Sequence, residues 1–361
     1  MGGGRSGRCA LRVATTWLAI AIAALPGLSR GQAPAASEVA ARGVDIALVL
    51  PLESSSYGRA ADAVRAGFVA AAAMTKARTV VIGHDDGGAT EAFGRARTSG
   101  ARVMVGPLVR DELKLVAAAA NEDPGPPTLA LNQLDDGAPL PSSFYTLALV
   151  IEADARVVAR SARDGGALTV GVVGAGTPLQ RRFADAFTAE WLLLGGASPV
   201  TLRFGRAPEM LVALRTELGR TPLDAIVLAV EGDDAALVKP YVGQTPAYAS
   251  SQVNDRPTQA TVRDLDDLRF VEIPWLALPD SPAYAKLPRR DYQNAALDRL
   301  YALGIDAFRA AWLLADAPPG RGVEFDGATG RVVLDADSRQ FIRTPVLMQF
   351  RAGQKVPVEP R

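Results

Sequence analysis

VDIALVLPL (44–52), ESSSY (53–57) and GRAADAVRAGFVAAAAM (58–74) follow one another without a break, and their order decides the fold. The first piece is apolar almost throughout and ends at Pro51, too continuous for a strand with one face in water. A strand covered on both faces, as in a parallel sheet between helices, reads this way. The second piece is a serine-rich loop. The third carries Ala60, Val64, Gly67 and Phe68 on one face at helical spacing.

The same unit recurs downstream. TVVIGHDD (79–86) precedes a helix near 89–98, ARVMVGPL (101–108) a helix over 109–120, and PTLALN (127–132) follows. After FYTLALV (144–150) a second series begins. LTVGVVG (168–174) leads into a helix over 178–194 with Phe183, Phe187 and Trp191 at i, i+4 and i+8. PVTLRFG (199–205), a helix over 208–218, AIVLAV (225–230), a helix over 233–239 and PAYASS (246–251) continue it. Strand alternating with helix, twice over, predicts an α/β protein of two doubly wound, Rossmann-like lobes. The tail reads differently. LRFVEIPWLALP (268–279) is expected to be extended, 291–317 a pair of helices, 323–337 a hairpin around Asp326-Gly327, and 344–354 a last strand with its turn. The expected division is a leader over 1–35, a first lobe over 36–150 plus 254–318, a second over 151–253 plus 319–354, and a tail over 355–361.

The 361 residues suffice for two lobes, each with its own core. Lys plus Arg and Asp plus Glu both number 39, so the chain lacks the basic surface of a nucleic-acid binder, and no nucleic-acid partner is expected. One Cys and one His exclude a Cys/His zinc site, a Cys–His nucleophilic pair and a disulfide framework. Arg5, Arg8 and Arg12 precede an apolar run from Val13 to Leu28, and Ala33-Pro34-Ala35 fits a small-x-small cleavage site. This is the pattern of a secretory signal cut after Ala35. The run holds Pro26 and, at about 16 residues, falls short of the roughly 20 that a membrane span needs. The mature chain is therefore expected in the periplasm, with no transmembrane span. Cleavage removes Cys9, Arg5, Arg8, Arg12 and Arg30 with no acidic residue, so the net charge of zero becomes −4. A lipid anchor needs a cysteine just after the apolar run. Cys9 lies before it, so no lipid anchor is expected.

Catalytic motifs find no foothold. Gly171-Val172-Val173-Gly174-Ala175-Gly176 matches only the second half of the dinucleotide fingerprint, because Thr169 stands where the first glycine belongs. It reads as a tight turn between strand and helix. No phosphate loop, no Ser-x-x-Lys and no Gly-x-Ser-x-Gly elbow occurs. His84, in HDDGG, reads as a loop residue at a strand's carboxyl end. The pairs Asp85/Asp86, Asp135/Asp136, Asp233/Asp234 and Asp266/Asp267 sit in turn-like contexts that capping and solvation explain. No metal, no cofactor and no enzymatic activity are expected.

Open α/β sheets bind ligands at the carboxyl ends of their strands. In the first lobe these are Glu53–Tyr57 (with Ser54, Ser55, Ser56 and Tyr57), Gly106-Pro107-Leu108, and Asn132-Gln133. In the second they are Gly174–Thr177 (with Gly176 and Thr177), Glu231-Gly232, and Ser250–Gln252 (with Ser250, Ser251 and Gln252). Their hydroxyls, amides and helix starts suit a small polar ligand between the lobes. The alternative is that they cap helices and seal a closed seam.

The chain also resembles a known group. IALVLPLESSSYGRAADAVRAGF (46–68), VGPLVRDEL (105–113), LALNQ (129–133), RFVEIPWL (269–276), RLYALGIDAFRAAWLL (299–314) and DGATGRVVLDADSRQFIRTPVLMQFRAGQ (326–354) are similar to the type I periplasmic binding fold of leucine-binding proteins. More narrowly, RFVEIPWL and LYALGIDAFR resemble the LppC/LpoA family of penicillin-binding-protein activators. The resemblance implies a non-enzymatic regulator that docks on a class A penicillin-binding protein in peptidoglycan synthesis. It departs from long family members in having no lipobox cysteine and no preceding helical-repeat domain. The other reading is a periplasmic receptor for an amino acid or peptide-like solute. Leucine-type receptors imply small hydroxyl residues just after the third strand. Here Pro107-Leu108-Val109 occupy that place, and Arg110 with Asp111 reads as a helix-start ion pair.

Overall fold

The computed structural model describes Met1 and residues 44–134, 138–174, 176–255, 257–316 and 323–359. The expected leader to Ala35 with Cys9, the lobe start at 36–43, the Asp135/Asp136 pair, Ala175 and the expected lobe boundary within 317–322 lie outside the described residues.

In the first lobe β1 (Ile46–Leu50), α1 (Gly58–Ala72), β2 (Thr79–Gly83), α2 (Ala89–Thr98), β3 (Val103–Val105), α3 (Arg110–Glu122), β4 (Thr128–Ala130) and β5 (Phe144–Thr146) alternate as expected. The second lobe repeats this with α4 (Ile151–Asp164), β6 (Val170–Gly174), α5 (Pro178–Leu193), β7 (Val200–Arg203), α6 (Pro208–Arg220), β8 (Ala225–Ala229), α7 (Gly232–Val242), β9 (Ala247–Ala249), α8 (Gln259–Asp264) and β10 (Arg269–Glu272). The parallel strands run β2-β1-β3-β4-β5 in one sheet and β7-β6-β8-β9-β10 in the other, the same doubly wound order twice. β1 and β8 are buried at every position, as their unbroken apolar runs require. Phe183, Phe187 and Trp191 are fully buried under α5.

The tail is where expectation and structure part. Instead of one extended segment over 268–279, the strand stops at Glu272 and Pro274 opens a short helix, α9 (Pro274–Ala277), since proline fits a first helical turn but cannot donate to a sheet. Instead of two helices over 291–317 there is one, α10 (Ala295–Asp316). Then come β11 (Glu324–Gly327), β12 (Gly330–Asp335), β13 (Gln340–Thr344), β14 (Val346–Arg351) and β15 (Gln354–Pro357). β13 pairs with β5 at Gln340 and Thr146, so β11–β13 extend the first sheet rather than the second. The physical reason is burial: Val332, Leu334 and Phe341 fill the first core beneath α10. Residues 262–272, expected in the first lobe, lie in the second. Val262, Leu265, Leu268 and Phe270 belong to its core, and Phe270 stacks on Phe350 of β14 with ring centroids 4.4 Å apart. β15 continues this sheet where a tail was expected.

α10 is uninterrupted because its glycine is a contact rather than a break. A Cβ on Gly304 would lie 2.0 Å from the Val64 carbonyl oxygen of α1, and one on Gly67 only 1.9 Å from the Tyr301 carbonyl oxygen. The helices touch backbone to backbone, and Phe68 meets Phe308 edge-on at 5.3 Å just beyond. In an exposed helix Gly→Ala stabilises by about 1 kcal/mol. Here Gly304→Ala is expected to destabilise by about 1–3 kcal/mol in urea unfolding, since the methyl group forces the helices apart.

Candidate functional site

The chain passes between the lobes three times: at Ala148–Val150 into α4, at Ile273 between β10 and α9, and at Pro345 between β13 and β14. A network of charged side chains occupies this crossing. Arg299, in the first turns of α10, donates from Nε and Nη2 to both Glu272 oxygens at 3.0 and 2.7 Å, and from Nη2 to the Ser251 carbonyl at 2.9 Å. It also pairs with Asp255. Glu272 is almost fully buried and accepts further bonds from Asn254 Nδ2 at 2.6 Å and its neighbour's amide, Ile273 N, at 2.9 Å. Lys355 of β15 closes the set on Asn254 Oδ1 at 2.7 Å. Burial opposes the Arg299 charge, yet the Glu272 and Asp255 carboxylates hold its guanidinium above the ordinary arginine range. Burial draws Lys355 down.

A second pair lies beside it. Arg343 of β13 donates to the Ala148 and Val150 carbonyls at 3.2 and 3.1 Å, and its Nη2 stands 3.8 Å from Asp154 Oδ1. Asp154 accepts from the Ser251 hydroxyl at 2.6 Å and its amide at 3.1 Å. Burial pushes the Asp154 carboxyl up and the Arg343 guanidinium down. These groups fix the angle between the sheets: α10 packs on the first lobe, while Glu272, Asp255 and Ser251 belong to the second. Of these, sequence reading named only Ser251, as a strand-end residue; the charged members of the joint were missed as site residues. The available signal was a charge inside an apolar run, Glu272 in VEIPWL and Arg299 at the head of an apolar helix.

The strand-end residues are largely committed to local bonds. Ser54 is buried and its hydroxyl accepts from the Ser56 and Tyr57 amides at 3.2 and 3.0 Å, capping the approach to α1. Gly106, Pro107 and Leu108 are buried and stitched to the next strand end, where Asn132 Nδ2 donates to the Leu108 carbonyl at 2.9 Å. Thr177 forms a capping box with Gln180 at the start of α5, and Gly176 takes the left-handed backbone that only glycine adopts readily. Ser250 caps the Gln252 amide, and Ser251 is held by Asp154 and Arg299. Ser55, Ser56, Tyr57 and Glu231 are exposed, Gln252 and Gln133 half-buried. Gln133 lines a polar cavity of about 520 Å³ between the lobes. A larger cavity, about 750 Å³, lies at the opposite ends of the second sheet's strands, lined by Tyr248, Arg269 and Pro345.

His84 is a loop residue just past the carboxyl end of β2, as read, and it is buried. Its Nδ1 is 2.9 Å from the Asp85 carbonyl oxygen and 3.8 Å from Glu112 Oε1, and burial raises the Glu112 carboxyl while His84 opposes that rise. Asp234 pairs with Arg206, while Asp266 and Asp267 bond Ala352 N and Gln349 Nε2. Among the described residues, no group of three or more His, Cys, Asp or Glu side chains is placed to hold a metal ion, and no helix is long and apolar enough to cross a membrane.

Two doubly wound lobes with three crossings and a buried polar joint define a binding-protein-like fold of the type I periplasmic class. The solved C-domain of LpoA from Haemophilus influenzae, a regulator of PBP1A, shares that fold at a TM-score of 0.76 and 22% identity, over 87% of this chain and 100% of that one. A structure described as a putative branched-chain amino acid ABC transporter from Chromobacterium violaceum ATCC 12472 matches with TM-score 0.75 and 33% identity, over 84% of this chain and 99% of that one. The family model "LppC putative lipoprotein" matches residues 40–213 and 211–353, and the chain belongs to that family. The penicillin-binding protein activator LpoA of Escherichia coli (strain K12) is 25% identical over 314 residues, 74% of this chain and 46% of that protein. The chain thus spans about half the length of the curated relatives it matches.

Removing the Arg299 guanidinium leaves the buried Glu272 carboxyl without its cation. Arg299→Ala is expected to cost about 3–5 kcal/mol in urea unfolding. Exposed Arg331→Ala, which breaks only the surface pair with Glu324, is expected to cost less than about 1 kcal/mol.

Proposed function

We propose that this protein is an exported, non-enzymatic regulator that docks on a class A penicillin-binding protein and promotes peptidoglycan synthesis. The observation that carries the reading is the match of the LppC family model across residues 40–353, with relatives named penicillin-binding protein activators. The buried joint supports it, since tying the sheets at a set angle suits a body that presents an outer surface to a partner. So do the strand ends: Ser54, Asn132, Thr177, Ser250 and Ser251 already hold local partners, which weakens the case for a solute closing the lobes. Any small polar ligand in that cleft would meet Ser55, Ser56, Tyr57, Glu231 and Gln252. Export is supported by the basic residues Arg5, Arg8 and Arg12 ahead of the apolar run Val13–Leu28 and by the small-residue triplet Ala33-Pro34-Ala35, a pattern that suits a periplasmic protein.

A receptor for a transported solute is the second reading, favoured by the 33% identity to the Chromobacterium violaceum structure. The two separate in one set of measurements on the mature chain. With the host's class A synthases, pull-down is expected to capture a complex and glycan polymerisation to accelerate. Neither binding nor acceleration, together with a large rise in melting temperature on adding an amino acid or short peptide, would reverse the assignment.

A further inference from the structure

The larger cavity, about 750 Å³, runs along α4 and shares no residue with the strand-end loops. Val157, Arg160, Ser161 and Asp164 stand at i, i+3, i+4 and i+7, so a single face of α4 lines it. β14 and the chain past β15 supply Leu347 and Val358, while Leu278 follows α9 and Pro345 marks the third crossing. Apolar side chains dominate the lining, and the volume falls in the roughly 300–1,000 Å³ range of small-molecule sites. Val157, Leu347 and Val358 are half-buried and Leu278 is exposed, so this apolar surface is open to water. A concave, contiguous surface of this kind differs from single apolar side chains scattered over an exterior and marks a ligand groove.

The charges along it are not equivalent. Arg160, Asp164, Asp224 and Glu359 are exposed. Arg160 is bound to Glu190 Oε1 at 2.8 Å, and Asp224 accepts from Leu168 N, Thr169 N and the Thr169 hydroxyl. Arg269 is half-buried and differs from all four. Its Nη1 donates to the Tyr248 hydroxyl at 2.8 Å, and its guanidinium lies 5.5 Å from the centroid of that ring. The buried Tyr248 thus holds the guanidinium in place without supplying a charge to balance it. Among the described residues Arg269 has no ion pair, and its Nε and Nη2 make no hydrogen bond. Those two nitrogens lie on one edge of the guanidinium, the edge that a carboxylate takes side-on.

We propose that this cavity binds a medium-length aliphatic carboxylate, its chain along Val157, Leu347 and Val358 and its carboxylate on Arg269. The open apolar lining accounts for the chain and the positioned cation for the charge, two separate observations that meet in one groove. The inference does not depend on docking to a synthase, and its test contains none.

The test is isothermal titration of the mature protein with octanoate, butyrate and 1-octanol. Saturable octanoate binding is expected. Butyrate, four methylenes shorter, is expected to bind at least about tenfold more weakly, and 1-octanol, without the charge, about tenfold more weakly. Arg269→Gln is expected to weaken octanoate about tenfold while leaving 1-octanol unchanged, a split that a merely collapsed groove would not give. Val358→Trp, close to the chain end, fills the groove with a ring and is expected to abolish octanoate binding with the melting temperature retained. Arg215→Gln, on exposed α6 surface away from the cavity, removes the same charge and is expected to bind octanoate as before. Should Arg269→Gln lose 1-octanol as well, Val358→Trp decides. The proposal is overturned by no saturable octanoate binding, by butyrate or 1-octanol binding as tightly, by undiminished octanoate binding in Arg269→Gln or Val358→Trp, or by an equal loss in Arg215→Gln.

Discussion

The approach of Gly67 to Gly304 sets the position of the one helix on which both lobes rely. With no Cβ on either residue, α1 and α10 touch through their backbones, and α10 sits deep enough to reach three places at once. At its start Arg299 crosses to Glu272 and Asp255 in the second lobe. At its middle the fully buried Asp306 accepts from Ala328 N, Thr329 N and the Thr329 hydroxyl, at 2.8, 2.7 and 2.7 Å, and so fixes the turn joining β11 and β12. Along its length it covers Val332, Leu334 and Phe341. A helix held farther out would lose all three. Burial pushes the Asp306 carboxyl up, a cost offset by the turn that its three accepted bonds hold in place.

From that constraint the character of the interlobe region follows. A receptor that closes on a solute keeps polar groups on facing loops unpaired until the solute arrives. Here most such groups serve their own lobe or the joint. Among the described residues, the strand-end side chains left without partners are exposed ones, such as Ser55, Ser56 and Tyr57. The molecule keeps the architecture of a solute receptor while the strand ends have taken on structural work.

Much of this was legible in the sequence, for reasons that differ by element. The unbroken apolar runs at 46–50 and 225–229 signalled strands covered on both faces, and Phe183, Phe187 and Trp191 signalled a helix with one buried stripe; all are buried as read. The assignment of β11–β13 and of β10 to their sheets was not legible, because the chain crosses between lobes at single residues such as Pro345, with no change in composition to mark the passage. The joint was missed for another reason. Arg299 and Glu272 are 27 residues apart, and nothing local shows that a charge in an apolar run faces another one. The segments carrying the family resemblance, RFVEIPWL, RLYALGIDAFRAAWLL and DGATG, converge in space on Glu272, Arg299 and Asp306.

The central claim is that the protein works through its outer surface while the cleft loops stay as they are. Hydrogen–deuterium exchange on the mature protein, alone and with a class A synthase, tests it most directly. The account predicts new protection on surface elements of one or both lobes, with the loops at 53–57, 231–232 and 250–252 exchanging as before. Protection confined to those loops, or no protection anywhere on adding the synthase, would contradict it.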